Sequence, residues 1–193
     1  IKDVQLWTPE SPYLYDVKVN LKKDDVVVDS YETYFGMRKV EFSNNQILLN
    51  GKPLYIRGAL DQAFYPDTIY TAPNDEWIQN EIKLAKSMGF NMLRKHIKVE
   101  IPRYLYWADR MGMLIWAEPP NVVKWSNQSN RRFYNELVGM IKRDYNHPSI
   151  IIWSLYNEEW GLEWDLANDV EKQKYIIEMY ENIRELDSTR LIC

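Results

Sequence analysis

Cysteine is nearly absent from this sequence: Cys193 stands alone, which excludes an internal disulfide and says little about redox compartment. Histidine is almost as scarce. His96 and His147 lie far apart, and with a single cysteine they give no zinc-ligand spacing, so no metal site is expected from this set. There are seven glycines, and none form the fingerprint that a dinucleotide-binding open sheet needs after its first strand. No stretch approaches the ~18 uninterrupted apolar residues of a membrane helix, so no membrane partner is expected. No basic patch stands out either. The net charge is −4, which argues against nucleic acid as a partner. A signal pattern of charged start, apolar middle and small-residue cleavage site is missing. The chain opens on Ile1-Lys2-Asp3 without an initiator Met, so its true N-terminus is expected elsewhere. Compartment and oligomeric state stay open, a homo-oligomer included.

What is abundant is aromatic surface. Eight Trp and 14 Tyr suit flat sugar faces, but on composition alone large cores and interfaces come first. The first 50 residues read as strands. Tyr13–Leu21 alternates, Val26–Val28 and Tyr31–Val40 follow, and Ile47–Leu49 runs into Asn50-Gly51. Asp24-Asp25 and Asn50-Gly51 are hairpin-turn signals. These strands are expected to close an immunoglobulin-like β-sandwich whose earlier strands are missing, as a domain over residues 1–50.

From residue 51 the period changes. Short apolar strands at Leu54–Leu60, Phe90–Leu93, Met113–Ala117, Ile150–Leu155 and Arg190–Cys193 alternate with helical faces. Those faces carry Ile78, Ile82, Ala85 and Met88, then Ile101, Leu105, Ala108 and Met111. The third carries Phe133, Leu137 and Met140, and the fourth Ile176, Tyr180, Ile183 and Leu186. Alternating strand and helix predicts an α/β fold with a parallel sheet and right-handed crossovers. Without the glycine fingerprint, a (β/α)8 TIM barrel is the better closure. A complete barrel needs roughly 250 residues. Residues 51–193 therefore read as its first half, strands 1–5.

In such a barrel the chemistry collects at the C-terminal strand ends. Those ends carry Asp61 and Gln62, then Arg94 and His96, then Glu118, then Asn157-Glu158. A carboxylic acid in an apolar mouth has its pKa raised by desolvation, as a general acid near neutral pH requires. Glycosidic cleavage needs two carboxyl groups, one acid/base and one nucleophile or second base.

The ordered segments carry a resemblance. Leu6-Trp7-Thr8-Pro9-Glu10-Ser11-Pro12-Tyr13-Leu14-Tyr15 resembles the entry to the middle sandwich domain of glycoside hydrolase family 2. Phe35–Val40, Leu49–Pro53 and Arg57-Gly58 resemble its sandwich-to-barrel junction, and Gly89–Arg94 its second barrel strand. Asn146–Glu158 resembles its acid/base segment. The set spans essentially the whole chain in the expected order. That family includes β-galactosidases, β-glucuronidases and β-mannosidases, and the resemblance implies a retaining exo-β-glycosidase of β-galactosidase-like type, acting on terminal β-linked sugars.

The resemblance makes Glu158 the acid/base and Asn157 the ligand of the sugar 2-hydroxyl. It places Arg94 near the nucleophile carboxylate and His96 near a sugar-contacting histidine. The usual spacing there is Arg, two residues, His, whereas here only Lys95 intervenes. His96 is open between sugar contact and core histidine, and His147 reads as structural. Ala59–Pro66 departs from relatives that carry histidines after Arg-Gly. Asp61 is kept as a substrate-binding candidate. Glu118 is open between a second catalytic carboxylate and a pocket or cation-linked position. No cofactor is required, with a Mg or Na ion near Glu118 the weakest expectation. Trp125 and Trp160, with Trp164, are open between sugar platforms and loop packing. Glu159 and Glu163 read as solvated. The nucleophile should end the seventh strand, outside this chain, so the chain alone is expected to be inactive and to need its missing C-terminal half as partner. The other class of reading is a non-catalytic carbohydrate-binding or interaction protein on a degenerate barrel.

Overall fold

The computed structural model describes residues 1–193. A long antiparallel hairpin comes first, β1 (Tyr15–Lys23) against β2 (Val26–Phe35). A three-stranded antiparallel meander follows, β3 (Val40–Ser43), β4 (Gln46–Leu49) and β5 (Lys52–Pro53). Three two-residue turns join these strands: Asp24-Asp25, Asn44-Asn45 and Asn50-Gly51. All six residues have positive φ, between 49° and 75°. Asp, Asn and Gly tolerate that region and the resulting turns match strand twist. The sequence reading carried Tyr31 through Val40 as one strand. The strand instead stops at Phe35, where Gly36 passes so close to the Pro148 ring that a Cβ would lie 2.6 Å from its Cγ.

The parallel sheet has the order β10-β9-β8-β7-β6. Its strands are β6 (Gly58–Asp61), β7 (Met92–Lys95), β8 (Leu114–Ala117), β9 (Ile150–Trp153) and β10 (Leu191–Ile192). Between them run α1 (Asp75–Ser87), α2 (Pro102–Met111), α3 (Asn127–Asp144) and α4 (Val170–Leu186). The helices start where their caps say. The Asn74 side chain accepts from the Trp77 N–H, Ser126 from Ser129, and Asp169 from both Glu171 and Lys172. Gly112 closes α2 in the left-handed conformation, and a Cβ there would overlap the Pro9 carbonyl.

Two readings shift. The first sheet strand starts at Gly58 rather than Leu54, and Leu54 and Ile56 instead pack beneath the sheet. On α4, Met179 and Ile183 are buried while Tyr180 is exposed, so the buried stripe runs one residue away from the expected face.

Strand alternation splits the core in two. Leu93, Ile115, Ile150 and Trp153 face the helices, in the large cluster with Ile78, Ile82, Leu105, Leu137 and Ile183. Met92, Leu114 and Ile152 turn to the opposite face, where Trp7 meets them with its indole N–H bonded to the Asp109 carbonyl at 2.8 Å. The N-terminal segment is pinned there further. The Tyr34 hydroxyl donates to Asp109 (2.8 Å), whose carboxylate also meets His147 Nδ1 (2.5 Å) and accepts the Ser149 N–H (2.9 Å). His147 thus has the structural place expected of it.

Candidate active site

Period-2 alternation decides which strand-end residues share a face. Leu60 pairs with Arg94 and Asp61 with Lys95, so Asp61 falls on the helix side of the sheet and Arg94 on the other. Arg94 lies over the Trp116 indole (4.9 Å). Its Nε and Nη2 donate to Glu118 Oε2 at 2.9 and 2.6 Å, and Nη2 also donates to Asn157 Oδ1 at 2.7 Å. One guanidinium therefore ties β7 to the residues following β8 and β9. A planar fork does this; a point charge does not.

Glu118 is fully buried, and its other oxygen accepts the Ile97 N–H at 2.9 Å. Ile97 has φ 46°, a strained value for a β-branched residue, held because the Lys95–Lys98 turn wraps the Glu118 carboxylate. Both Glu118 oxygens are taken by donors, and a guanidinium supplies the neighbouring charge.

Asn157 is buried and its Oδ1 is committed to Arg94, which fixes the amide orientation because only oxygen can accept. Its Nδ2 is left free of bonds within the chain. Asn121 brackets the Asn157 backbone at 3.4 Å on both sides and reaches the Trp160 carbonyl at 3.3 Å. Glu158 follows in left-handed backbone, φ 56°, with an exposed side chain. The apolar enclosure expected around it is not supplied by these 193 residues.

The remaining candidates scatter. His96 is half-buried and its Nδ1 meets Gln62 Nε2 at 3.1 Å. Trp160 is exposed and stands edge-on to Trp164 (5.7 Å) at the rim beside Glu158. Trp125 is not brought to this group; it packs on Tyr175 of α4 instead. Asp61 is a correction of geometry. Its Oδ2 lies 2.5 Å from Lys95 Nζ and its Oδ1 accepts the Ala63 N–H, beneath α1 and α2 rather than beside Arg94. Glu163 is exposed as expected while pairing with Lys172 at 3.3 Å, whereas Glu159 is half-buried and accepts the Leu166 N–H.

Comparison with known proteins follows the same lines. Residues 40–193 match the profile of "Glycosyl hydrolases family 2, TIM barrel domain", and residues 1–38 match "Glycosyl hydrolases family 2". The chain belongs to glycoside hydrolase family 2. It is 36% identical over 168 residues to a β-galactosidase of Oenococcus oeni, covering 82% of this chain and 16% of that protein. It is 31% identical over 178 residues to a β-glucuronidase of Streptococcus agalactiae, covering 82% and 29%. The crystal structure of a Parabacteroides merdae β-glucuronidase superposes with a TM-score of 0.85 at 27% identity, over 100% of this chain and 24% of that one. The chain thus spans less than a third of the length of these relatives.

In this family 2 chain, sequence reasoning missed Lys95, Lys98 and Glu100, a buried ionic group between sheet and helices. Lys95 Nζ lies 2.8 Å from Glu100 and 3.5 Å from the Tyr104 ring centroid. Burial pulls the Lys98 ammonium below the usual lysine range, with Glu100 working against it. Burial likewise lifts the neighbouring Glu81 carboxyl, with Lys95 opposing. The available signal was position: a lysine ending a strand buried on both faces must find partners. Asn121 gave no signal.

Proposed function

We propose that the protein containing this chain is a retaining exo-β-glycosidase, β-galactosidase-like, with Glu158 as its general acid/base. The observation that carries this is the Arg94 bridge to Glu118 and Asn157. With Oδ1 held by Arg94, Asn157 presents Nδ2 as a donor for a sugar 2-hydroxyl. Glu158, the next residue, then stands beside the anomeric centre. Glu158 gives its proton to the departing glycosidic oxygen while a carboxylate from outside this chain attacks the anomeric carbon. The same residue then takes a proton from the incoming water. The two carboxyls sit roughly 5–5.5 Å apart in such a mechanism. Arg94, with Glu118 compensating part of its charge, holds the nucleophile ionised. Relatives named β-galactosidase and β-glucuronidase support the reaction class.

In this reading residues 1–50 end an immunoglobulin-like sandwich and residues 51–193 begin a (β/α)8 barrel, with the rest of the barrel as obligatory partner. The substrate is a carbohydrate, and no cofactor is required. The exposure of Glu158 is the one observation that favours a non-catalytic sugar-binding protein instead. Glu158→Gln in the full-length protein separates the two. The glycosidase reading expects turnover to survive only on aryl β-glycosides with activated leaving groups. Equal rates for wild type and variant on poorly activated substrates would remove Glu158 from the mechanism.

A further inference from the structure

Trp125 is an aromatic that the catalytic group does not use. It sits in the loop after β8, where the rim of the sheet meets the outer layer of helices. Tyr175 stands edge-on to it at 5.2 Å and 89°, and Lys172 Nζ covers one indole face at 5.8 Å. From there an open groove of about 450 Å³ runs between α3 and α4. That volume falls in the range of small-ligand sites, roughly 300–1,000 Å³.

The groove combines aromatic rings with amide and charged side chains. Asn130 lines it, is only 6% exposed, and its side-chain amide makes no hydrogen bond within the chain. A buried amide oxygen left unpaired is unfavourable, so a ligand hydroxyl that donates to Asn130 Oδ1 relieves it. The charges lining it balance: Arg131 on α3 and Lys174 on α4 against Glu171 and Glu178 on α4, with Lys174 and Glu178 3.8 Å apart one turn along the same helix. A half-buried indole beside an unpaired amide, with donors and acceptors of balanced charge around them, is the chemistry of neutral sugar recognition. Hydrophobic C–H faces pack on the ring, and hydroxyls are bonded at the edges.

We propose that the α3–α4 groove is a second carbohydrate-binding site, distinct from the Glu158 mouth, that takes one or two residues of a neutral β-linked oligosaccharide or polysaccharide. It rests on the glycosidase reading only for the choice of ligand.

The test is affinity electrophoresis of the full-length protein in gels carrying soluble β-1,4-galactan, alongside kinetics on an aryl β-glycoside. Three variants enter: Trp125→Ala, the exposed-residue variant Arg131→Ala, and Glu158→Gln. The proposal expects galactan retardation to fall at least five-fold in Trp125→Ala and about two-fold in Arg131→Ala. Their aryl-glycoside kcat and KM should stay at wild-type values, and Glu158→Gln should be retarded as wild type is. Arg131→Ala keeps the test open if Trp125→Ala does not fold. Unchanged retardation in both groove variants overturns the site. So does a parallel loss of retardation and aryl-glycoside turnover, which would mean the groove acts through the catalytic mouth. A wild type that is retarded yet hydrolyses no aryl glycoside would sink the glycosidase reading and leave the groove standing.

Discussion

Arg94 shows how much one side chain organises. Its fork reaches a buried carboxylate and a buried amide together. Arg94→Lys keeps the charge and loses the second contact, so Asn157 loses its orientation. If the proposed function holds, kcat/KM of the full-length protein should fall about 10²-fold, the usual cost of misplacing a site by an ångström. Steady-state kinetics on an aryl β-glycoside would read it; an unchanged value would mean that Asn157 is oriented by Asn121 alone. Asp187 is the residue-scale test of pH. Its burial would raise the carboxyl pKa, but Arg190, the Trp153 indole N–H and Thr189 outweigh that and hold it below the ordinary aspartate value of 3.8. A depressed folded-state value stabilises the fold above the unfolded pKa. That contribution is lost as the pH falls through the lower, folded value. Asp187→Asn should lower stability at neutral pH and flatten the acid limb below pH ~4. Thermal unfolding scanned against pH measures both.

Elements are positioned by close approaches that sequence patterns mark only as breaks. Gly112 ends α2 at φ 70°, and a side chain there meets the Pro9 backbone. Gly89 follows α1 with φ 90° but has open space around it. The pair separates backbone strain from collision. Gly89→Ala should cost about 1–2 kcal/mol, the left-handed penalty alone. Gly112→Ala should cost clearly more and loosen residues 6–14, read by urea unfolding and by protease cleavage near Pro9. Equal costs would show that Pro9 yields freely. The face of α4 belongs to this scale too. Ile176, Tyr180 and Ile183 fit one helical stripe and Tyr175, Met179 and Ile183 fit another. Only packing against the sheet chose the second.

For the whole molecule, the decisive fact is an open five-stranded sheet, β6 at one edge and β10 at the other. Leu60 is 56% exposed on the face that Arg94 shares, and the β1–β2 hairpin exposes Val19, Leu21, Val26, Val27, Val28 and Tyr31. Unpaired edges and contiguous apolar surface favour association. The 193-residue chain by itself should therefore self-associate at micromolar concentration and hydrolyse no aryl glycoside. A monodisperse monomer by light scattering would contradict this.

The alternation of strand and helix, the Asp24-Asp25 and Asn50-Gly51 turns, and the cap of the first helix are local properties. Periodicity and backbone preference carry them, which is why the sequence by itself determined the order of elements and placed Arg94, Glu118 and Asn157-Glu158 at strand ends. Facing is a different matter. A one-residue change of parity sends Asp61 to the helix layer and Arg94 to the opposite face, and a bend in the Lys95–Lys98 turn sets what Glu118 can bind. Trp125 followed the same strand-end rule and still went to the α3–α4 groove. These outcomes depend on contacts between residues up to 63 positions apart, as between Arg94 and Asn157. Only the tertiary structure could decide them, because burial and hydrogen-bond satisfaction are settled by what packs alongside and not by what precedes in the chain.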